Sequence, residues 1–193
     1  MKLKTTFILV ILLFTQLTFA QDAKKEPEKK KRAPKPWVNP LIKNYGRILD
    51  LEDIEVKPDP DREYKILIEL VHDMDKPKRL NFSANNVARL INLHAIGGVK
   101  PENLKVAVVV HAQATNSVVS QEAYQKKYEE ESPYVDFYKE LADAGVDLVV
   151  CGQSLNLFGQ KPEDVLPGVK IATSALTAVT TYQLKGYAYF KWD

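Results

Sequence analysis

From residue 64 onward, the chain alternates between two spacings of apolar residues. Short runs rich in β-branched and aromatic residues, which are typical of strands, occupy 64–71, 104–111, 146–151, 169–173 and 187–192. Between them, apolar residues return every three or four positions, as they do on one face of a helix. Strands that alternate with helices predict an α/β fold, here a three-layer sandwich around a mostly parallel five-stranded sheet.

Four helices are predicted between these strands. Ser83 is the expected N-cap of the first, whose apolar face includes Val87 and carries His94. The polar segment 120–131 predicts an exposed helix, with a lid or a subunit contact as alternatives. Ser132 and Pro133 are expected to open the third. The fourth is expected to be capped by Ser174 and to bury Leu176, Val179 and Leu184. Segments 112–117 and 155–161 are interpreted as loops.

The N-terminal 63 residues differ in character from the rest. Residues 1–20 combine early lysines, an apolar run and small residues at the end, the pattern of a cleavable secretory signal peptide; an uncleaved anchor is the alternative. Residues 21–36 form a basic, proline-rich linker that is predicted to be disordered, and 37–63 an irregular lead-in. The α/β domain is assigned to 64–193. No later segment is long enough to cross a bilayer, so a periplasmic or secreted protein without a transmembrane segment is expected.

The distribution of charge argues against nucleic acid as a partner. The whole chain has a net charge of +2, from 27 basic and 25 acidic residues. The signal peptide contributes +2 and the linker +4, so residues 37–193 carry −4. A mildly acidic domain lacks the basic surface that nucleic-acid binding requires.

Cys151 is the only cysteine, and it stands where the third predicted strand ends. Ligands of an open parallel sheet gather beyond the carboxyl ends of its strands. A lone cysteine in an exported protein cannot form an internal disulfide. The thiol is therefore either reactive or a small buried apolar group, and both interpretations stay open.

Other candidate residues surround this position. His111 ends the second strand at the same predicted edge and could tune the thiol or transfer a proton, or simply bond a backbone carbonyl. Asn116 follows in the next loop. Gly152, without a side chain, would let a substrate sulfur approach, and the N–H groups of 152–154, which include Gln153 and Ser154, could stabilise a sulfur anion.

Several other chemistries lack their motifs. No glycine-rich phosphate loop, paired-cysteine zinc pattern or Gly-x-Ser-x-Gly nucleophile turn occurs. The run from His72 to Asp75 could suggest a metal site, but its neighbouring side chains point in different directions and no further ligand stands at metal-binding spacing. No metal and no cofactor is therefore expected.

The order of five segments along the chain resembles that of the DsrE/DsrF-like sulfur-relay family. These segments are the strand ending at His111, residues 138–145, the Cys151 strand, residues 166–172 and the last helix. The resemblance covers roughly 64–192 and implies a five-stranded α/β sandwich that assembles into trimers or hexamers. In sulfur-transferring members a cysteine just after the third strand carries a persulfide, and Cys151 matches that position. The Gly-Gln-Ser-Leu-Asn sequence after Cys151 differs from the alanine-rich turn of the sulfur carriers, and those carriers are cytoplasmic.

The first functional hypothesis is an exported sulfur carrier, sulfurtransferase-like, in which Cys151 accepts sulfane sulfur from a donor protein or a small sulfur compound. The alternative is a non-catalytic module that binds a small ligand or assembles as an oligomer, in which Cys151 is inert.

Overall fold

The computed structural model describes residues 35–71 and 77–192. The run that begins at His72, where no metal site is expected, lies outside these ranges, as do the predicted signal peptide and nearly all of the predicted linker. The strands of the described residues are β1 (Trp37–Val38), β2 (Ile48–Leu49), β3 (Tyr64–Leu70), β4 (Leu104–Val110), β5 (Asp147–Cys151), β6 (Val169–Ala172) and β7 (Ala188–Trp192). The helices are α1 (Phe82–Ile96), α2 (Gln121–Tyr128), α3 (Val135–Asp143), α4 (Gly152–Leu157) and α5 (Ala175–Leu184), with 3₁₀ turns at Pro101–Asn103, Ala112–Val118 and Pro162–Asp164.

The main sheet has the strand order β6-β5-β4-β3-β7, and every pairing in it is parallel. The predicted α/β class with a five-stranded sheet is thus confirmed. As the third of five predicted strands, the strand that ends at Cys151 is expected to be central; the structure instead has β4 at the centre and β5 one strand from the edge. β4 reads Leu-Lys-Val-Ala-Val-Val-Val because such a strand is covered on both faces and buries almost every side chain.

Helices cover both faces of this sheet. The larger core joins one face to α1, α2 and α3, where Tyr124 and Phe137 are fully buried. The smaller core joins the other face to α5 through Ala175, Ala178 and Tyr182. The apolar face predicted for α5 is wrong, because Leu176 and Leu184 are more than four-fifths exposed. Small alanines let α5 lie close to the sheet, and the leucines point away from it.

Three helix starts and one helix face also differ from expectation. Asn81, not Ser83, caps α1, since its side chain accepts from the Ser83 N–H at 2.6 Å. α3 begins at Val135 after the N-cap Tyr134, so Pro133 lies before the helix. α4 occupies the start of a predicted loop. α2 is not simply solvated, because buried Tyr124 donates a hydrogen bond to the Pro77 carbonyl at 2.6 Å.

The lead-in packs on α1 through one buried side chain. The Asn92 Oδ1 accepts from the N–H groups of Leu41 and Ile42 at 2.9 and 2.8 Å. Its Nδ2 donates to the carbonyls of Ile42, Tyr45 and Gly46 at 3.0–3.1 Å. A fully buried amide satisfies its hydrogen bonds in this way. The N-terminal lead-in is thereby joined to the helical layer.

Candidate functional site

Cys151 is both the last residue of β5 and the N-cap of α4. Its Sγ accepts a hydrogen bond from the Ser154 N–H at 3.4 Å. Helix starts leave N–H groups without partners inside the helix, and here a sulfur takes the role that a Ser or Asp oxygen usually has. The turn of 152–154, expected as a loop, is therefore the first turn of a helix.

The start of α5 also contributes a hydrogen bond to the Cys151 sulfur. Burial raises the pKa of the Cys151 thiol, but hydrogen bonds from the Ser154 side chain and from the backbone of Ser154, Ala175 and Gln153 outweigh it. The net effect is a thiol pKa below its ordinary value. Ala175 is the first residue of α5, so N–H groups from two helix starts converge on one sulfur. Such an environment favours the thiolate, which is the nucleophilic form.

The thiol is nevertheless largely enclosed. Cys151 is 4% exposed and packs in the smaller core with Val149 and Ala175. Beside it, an open depression is lined by Gly152, Gln153, Asn156 and 171–173.

Gly152 has a packing role that the sequence did not indicate. A Cβ built on Gly152 would lie 2.8 Å from the Ala172 carbonyl oxygen and 3.4 Å from Ile171 Cγ2. The space that was expected to admit a substrate sulfur is occupied by the backbone of β6. Glycine is required here because α4 starts against that strand.

Ser154 and Gln153 connect the cysteine turn to neighbouring segments. The Ser154 Oγ accepts from the Ala112 N–H at 3.1 Å and so links α4 to the end of β4. The Gln153 side chain donates to the Thr173 carbonyl at 3.3 Å. Both predicted residues therefore lie at the site, Ser154 beside the sulfur and Gln153 at its rim.

Asn116 is not brought to the sulfur. Its Oδ1 accepts from Lys127 Nζ at 2.7 Å and from Gln160 Nε2 at 3.4 Å, and its Nδ2 donates to the Gln113 carbonyl at 3.1 Å. With 2% exposure and these partners, it stabilises the 3₁₀ turn after β4.

His111 follows β4 and bonds to a carboxylate that the sequence analysis did not single out. Its Nε2 lies 2.5 Å from Glu69 Oε1, and the Tyr189 hydroxyl donates to the other oxygen of Glu69. Among the described residues the structure shows no hydrogen bond between His111 and Cys151. Glu69 could have been noticed as the single charge among Ile66, Leu67, Ile68 and Leu70, but its partner Tyr189 is 120 residues away.

The described part of the chain contains no group of three His, Cys, Asp or Glu residues that could hold a metal ion. Within the same residues, no helix has both the length and the apolar character needed to span a membrane.

Comparison with known proteins places the chain in a family. No curated protein matches the chain. A solved structure of a protein of unknown function, MTH1491 from Methanobacterium thermoautotrophicum, is 23% identical, covers 67% of this chain and 99% of its own, and superposes with a TM-score of 0.50. The ychN protein of E. coli is 16% identical over 67% of this chain and 99% of its own, with a TM-score of 0.48. The first likeness supports the α/β fold, and the family model called DsrE/DsrF-like matches residues 65–192. The chain belongs to the DsrE/DsrF-like family.

Proposed function

We propose that this protein accepts sulfane sulfur on Cys151 and carries it as a persulfide. Family membership suggests a sulfur-relay-like function. The observation that supports the cysteine's role is the convergence of N–H donors from the starts of α4 and α5 on Sγ. These donors stabilise a thiolate before reaction, and they can stabilise a persulfide anion afterwards.

The transfer is a displacement at sulfur. The Cys151 thiolate attacks the terminal sulfur of a donor persulfide, and a new S–S bond forms as the donor's own S–S bond breaks. The donor's remaining sulfur leaves as a thiolate with the electron pair of that bond. The products are Cys151 persulfide and a thiol, and no external oxidant or reductant takes part.

Intact-mass measurement of the full chain after exposure to glutathione persulfide tests this proposal. We expect an increase of about 32 Da that a reducing thiol reverses, because one sulfur atom is added to one cysteine. Cys151→Ser is the matched control and should gain nothing. An unmodified native chain whose thiol reacts only after unfolding would contradict the proposal.

A second candidate function is an oligomeric module with an inert cysteine. The 4% exposure of Cys151 favours it, together with the exposed Leu176 and Leu184 on α5. The two functions differ in the pH dependence of alkylation. A reactive thiol is alkylated in the native state with a midpoint below that of the unfolded chain, whereas an inert thiol is alkylated only on unfolding.

We also propose that residues 1–20 direct export and are then removed. The support is the charged start, the apolar run and the small residues before Gln21. Expression in a Gram-negative bacterium, followed by N-terminal sequencing of the periplasmic fraction, tests it. We expect the mature chain to begin at Gln21, and a chain retained in the cytoplasm with Met1 intact would contradict export.

A further inference from the structure

Glu69 is a carboxylate in the interior of the sheet. It is 9% exposed and pairs in register with Val109 on one side and Lys191 on the other. Moving an ionised carboxylate out of water is unfavourable unless hydrogen-bonding partners or opposite charges compensate it. A shorter apolar residue would fill the position without that cost, so the charge calls for an explanation.

The partners of Glu69 form a chain of hydrogen bonds that ends at a histidine. His111 Nε2 lies 2.5 Å from Oε1, and the Tyr189 hydroxyl donates to Oε2. When Glu69 is ionised it can only accept, and His111 Nε2 is then the donor of the first bond. No residue in the described ranges forms a hydrogen bond with His111 Nδ1. One ring nitrogen is therefore held by the protein, while the other is left for a solute.

This network and the cysteine share one face and one edge of the sheet. Val110 and Val150 are the last paired residues of β4 and β5, so His111 and Cys151 come next on adjacent strands. Neighbouring strands lie about 4.8 Å apart, and residues two positions apart point to the same face. Val109, Val149 and Cys151 belong to the core under α5, so His111 follows on that same face. The His111 side chain keeps 21% exposure, which leaves it accessible to a small molecule.

We infer that Glu69 is a positioning residue that holds His111 as the proton donor for the sulfur that leaves during transfer to Cys151. This inference rests on the proposed function. The thiolate attacks the sulfane sulfur, the donor's S–S bond breaks, and the departing thiolate takes a proton from the Nδ1 of the imidazolium. The imidazole regains a proton from solvent, and Glu69 accepts the Nε2 hydrogen bond throughout.

Within the described residues, the neighbouring strands place a small set of charged and titratable groups beside His111. β3 contributes Glu69, β7 contributes Tyr189 and Lys191, and β5 contributes Cys151. Lys191 stands directly across from Glu69 in the sheet. His111 is the group of this described set that can pass a proton to a bound donor through a ring nitrogen.

The test compares two reagents that differ in the leaving sulfur. Glutathione persulfide releases an alkyl thiolate, which needs a proton, whereas an aromatic nitrobenzoate disulfide releases an acidic thiol, which does not. In the full chain, His111→Gln should slow sulfur transfer from glutathione persulfide about 100-fold, within the range of general acid catalysis, and Glu69→Gln by a smaller factor. The aromatic disulfide should react with Cys151 at an unchanged rate in both variants, which also shows that they are folded. His94→Gln, whose ring bonds the Leu90 carbonyl at 2.8 Å, is the matched control and should change neither rate.

The dependence on the leaving sulfur separates positioning from a merely structural role. A variant that only disturbs the fold should change the rate with both reagents, whereas the loss of a positioned proton donor should change only the rate with glutathione persulfide. If Glu69→Gln loses its reaction with the aromatic disulfide, Tyr189→Phe, which removes only the donor to Oε2, replaces it in the test. Native-like rates with glutathione persulfide in these variants would overturn the inference while leaving the proposed function standing, whereas a wild-type chain that gains no sulfur would overturn both.

Discussion

At the scale of single residues, the hydrogen-bond donors around the Cys151 sulfur determine its thiol pKa. Ser154 contributes through both its N–H and its side chain, and Ala175 and Gln153 through their backbone. Each donor favours the thiolate over the thiol. The lowered thiol pKa at this position is thus a property of the two helix starts, which a cysteine elsewhere in the core would not share.

Ser154→Ala removes one of these donors and should raise the thiol pKa towards its ordinary value. The pH at which alkylation of Cys151 by iodoacetamide is half-maximal should therefore increase. It should not reach the midpoint of an ordinary thiol, because the Ser154 N–H still donates to the sulfur. Ser132→Ala, which loses only a bond to the Tyr134 N–H, is the control and should leave the alkylation profile unchanged. An identical profile for Ser154→Ala would show that the hydroxyl does not act on the sulfur.

The lowered thiol pKa also links stability to pH. A group whose pKa is lower in the folded than in the unfolded state stabilises the fold above its unfolded pKa, and this contribution is lost as pH falls through the folded pKa. The free energy of unfolding of the native chain relative to Cys151→Ser should therefore rise with pH up to about 8.5, the ordinary thiol value, and then level off. Denaturant titrations at several pH values measure this difference, and a difference independent of pH would contradict the lowered pKa.

Ala112 carries backbone strain beside His111. Its φ is 50°, a left-handed conformation that costs a residue with a Cβ about 1 kcal/mol, and its N–H bonds Ser154 Oγ. Ala112→Gly should relieve the strain and raise the free energy of unfolding by up to about 1 kcal/mol. Ala114→Gly, inside the following 3₁₀ turn, should lower it instead. Equal losses in both variants, measured by urea unfolding, would argue against strain at Ala112.

At the scale of elements, the junction of β5 with α4 is held by close backbone contact with β6. Gly152→Ala would push a methyl group against the Ala172 carbonyl and should lower stability by about 1–3 kcal/mol, the usual cost of overpacking. The same shift should displace the N–H donors and slow alkylation of Cys151. Gly159→Ala, where φ is 67° and no atom lies within 4 Å, is the control. It should cost only about 1 kcal/mol from its backbone conformation and leave the alkylation rate unchanged.

The attachment of the lead-in to α1 depends on Asn92. Asn92→Ala leaves buried backbone groups of 41–46 without their partner, and the loss of five hydrogen bonds should cost about 5 kcal/mol at roughly 1 kcal/mol per bond. Limited proteolysis should then cut the lead-in sooner than in wild type. Asn86→Ala, which loses a single 3.5 Å contact with Arg89, should do neither. An intact, resistant lead-in in Asn92→Ala would contradict this role.

The elements themselves were predictable, and several of their details were not. Unbroken apolar runs predict buried parallel strands such as β4, so the sequence was sufficient to predict the five strands of the sheet. α4 was missed because its N-cap is a thiol and its six residues are few for a periodic signal. The face of α5 was misassigned because its leucines outweigh its alanines in hydrophobicity, although the alanines are what fit against the sheet. Glu69 and Tyr189 meet only through the pairing of β3 with β7, which no local pattern reveals.

At the scale of the molecule, the outer side of α5 is uncharged and exposes Leu176 and Leu184 to solvent. We propose that a second copy of the chain covers this helix, consistent with the trimers or hexamers that the family resemblance implies. Light scattering during gel filtration should give a mass several times that of one chain, and Leu176→Glu combined with Leu184→Glu should reduce it. Leu51→Glu, in the exposed lead-in, is the control and should leave the mass unchanged. A monomeric wild-type chain would contradict the proposal.

The parallel pairing of β3 with β7 has a consequence for the order of folding. β3 is the first strand of the main sheet along the chain and β7 is the last, yet the two lie side by side. Contacts between such distant segments carry a large loop-closure cost and form late. The hydrogen bond between the Glu69 carboxylate and the Tyr189 hydroxyl therefore forms only when β7 pairs with β3. Residues that hold the histidine come together only once the whole domain has folded, so a partly folded chain can display the cysteine but lacks the group that assists it.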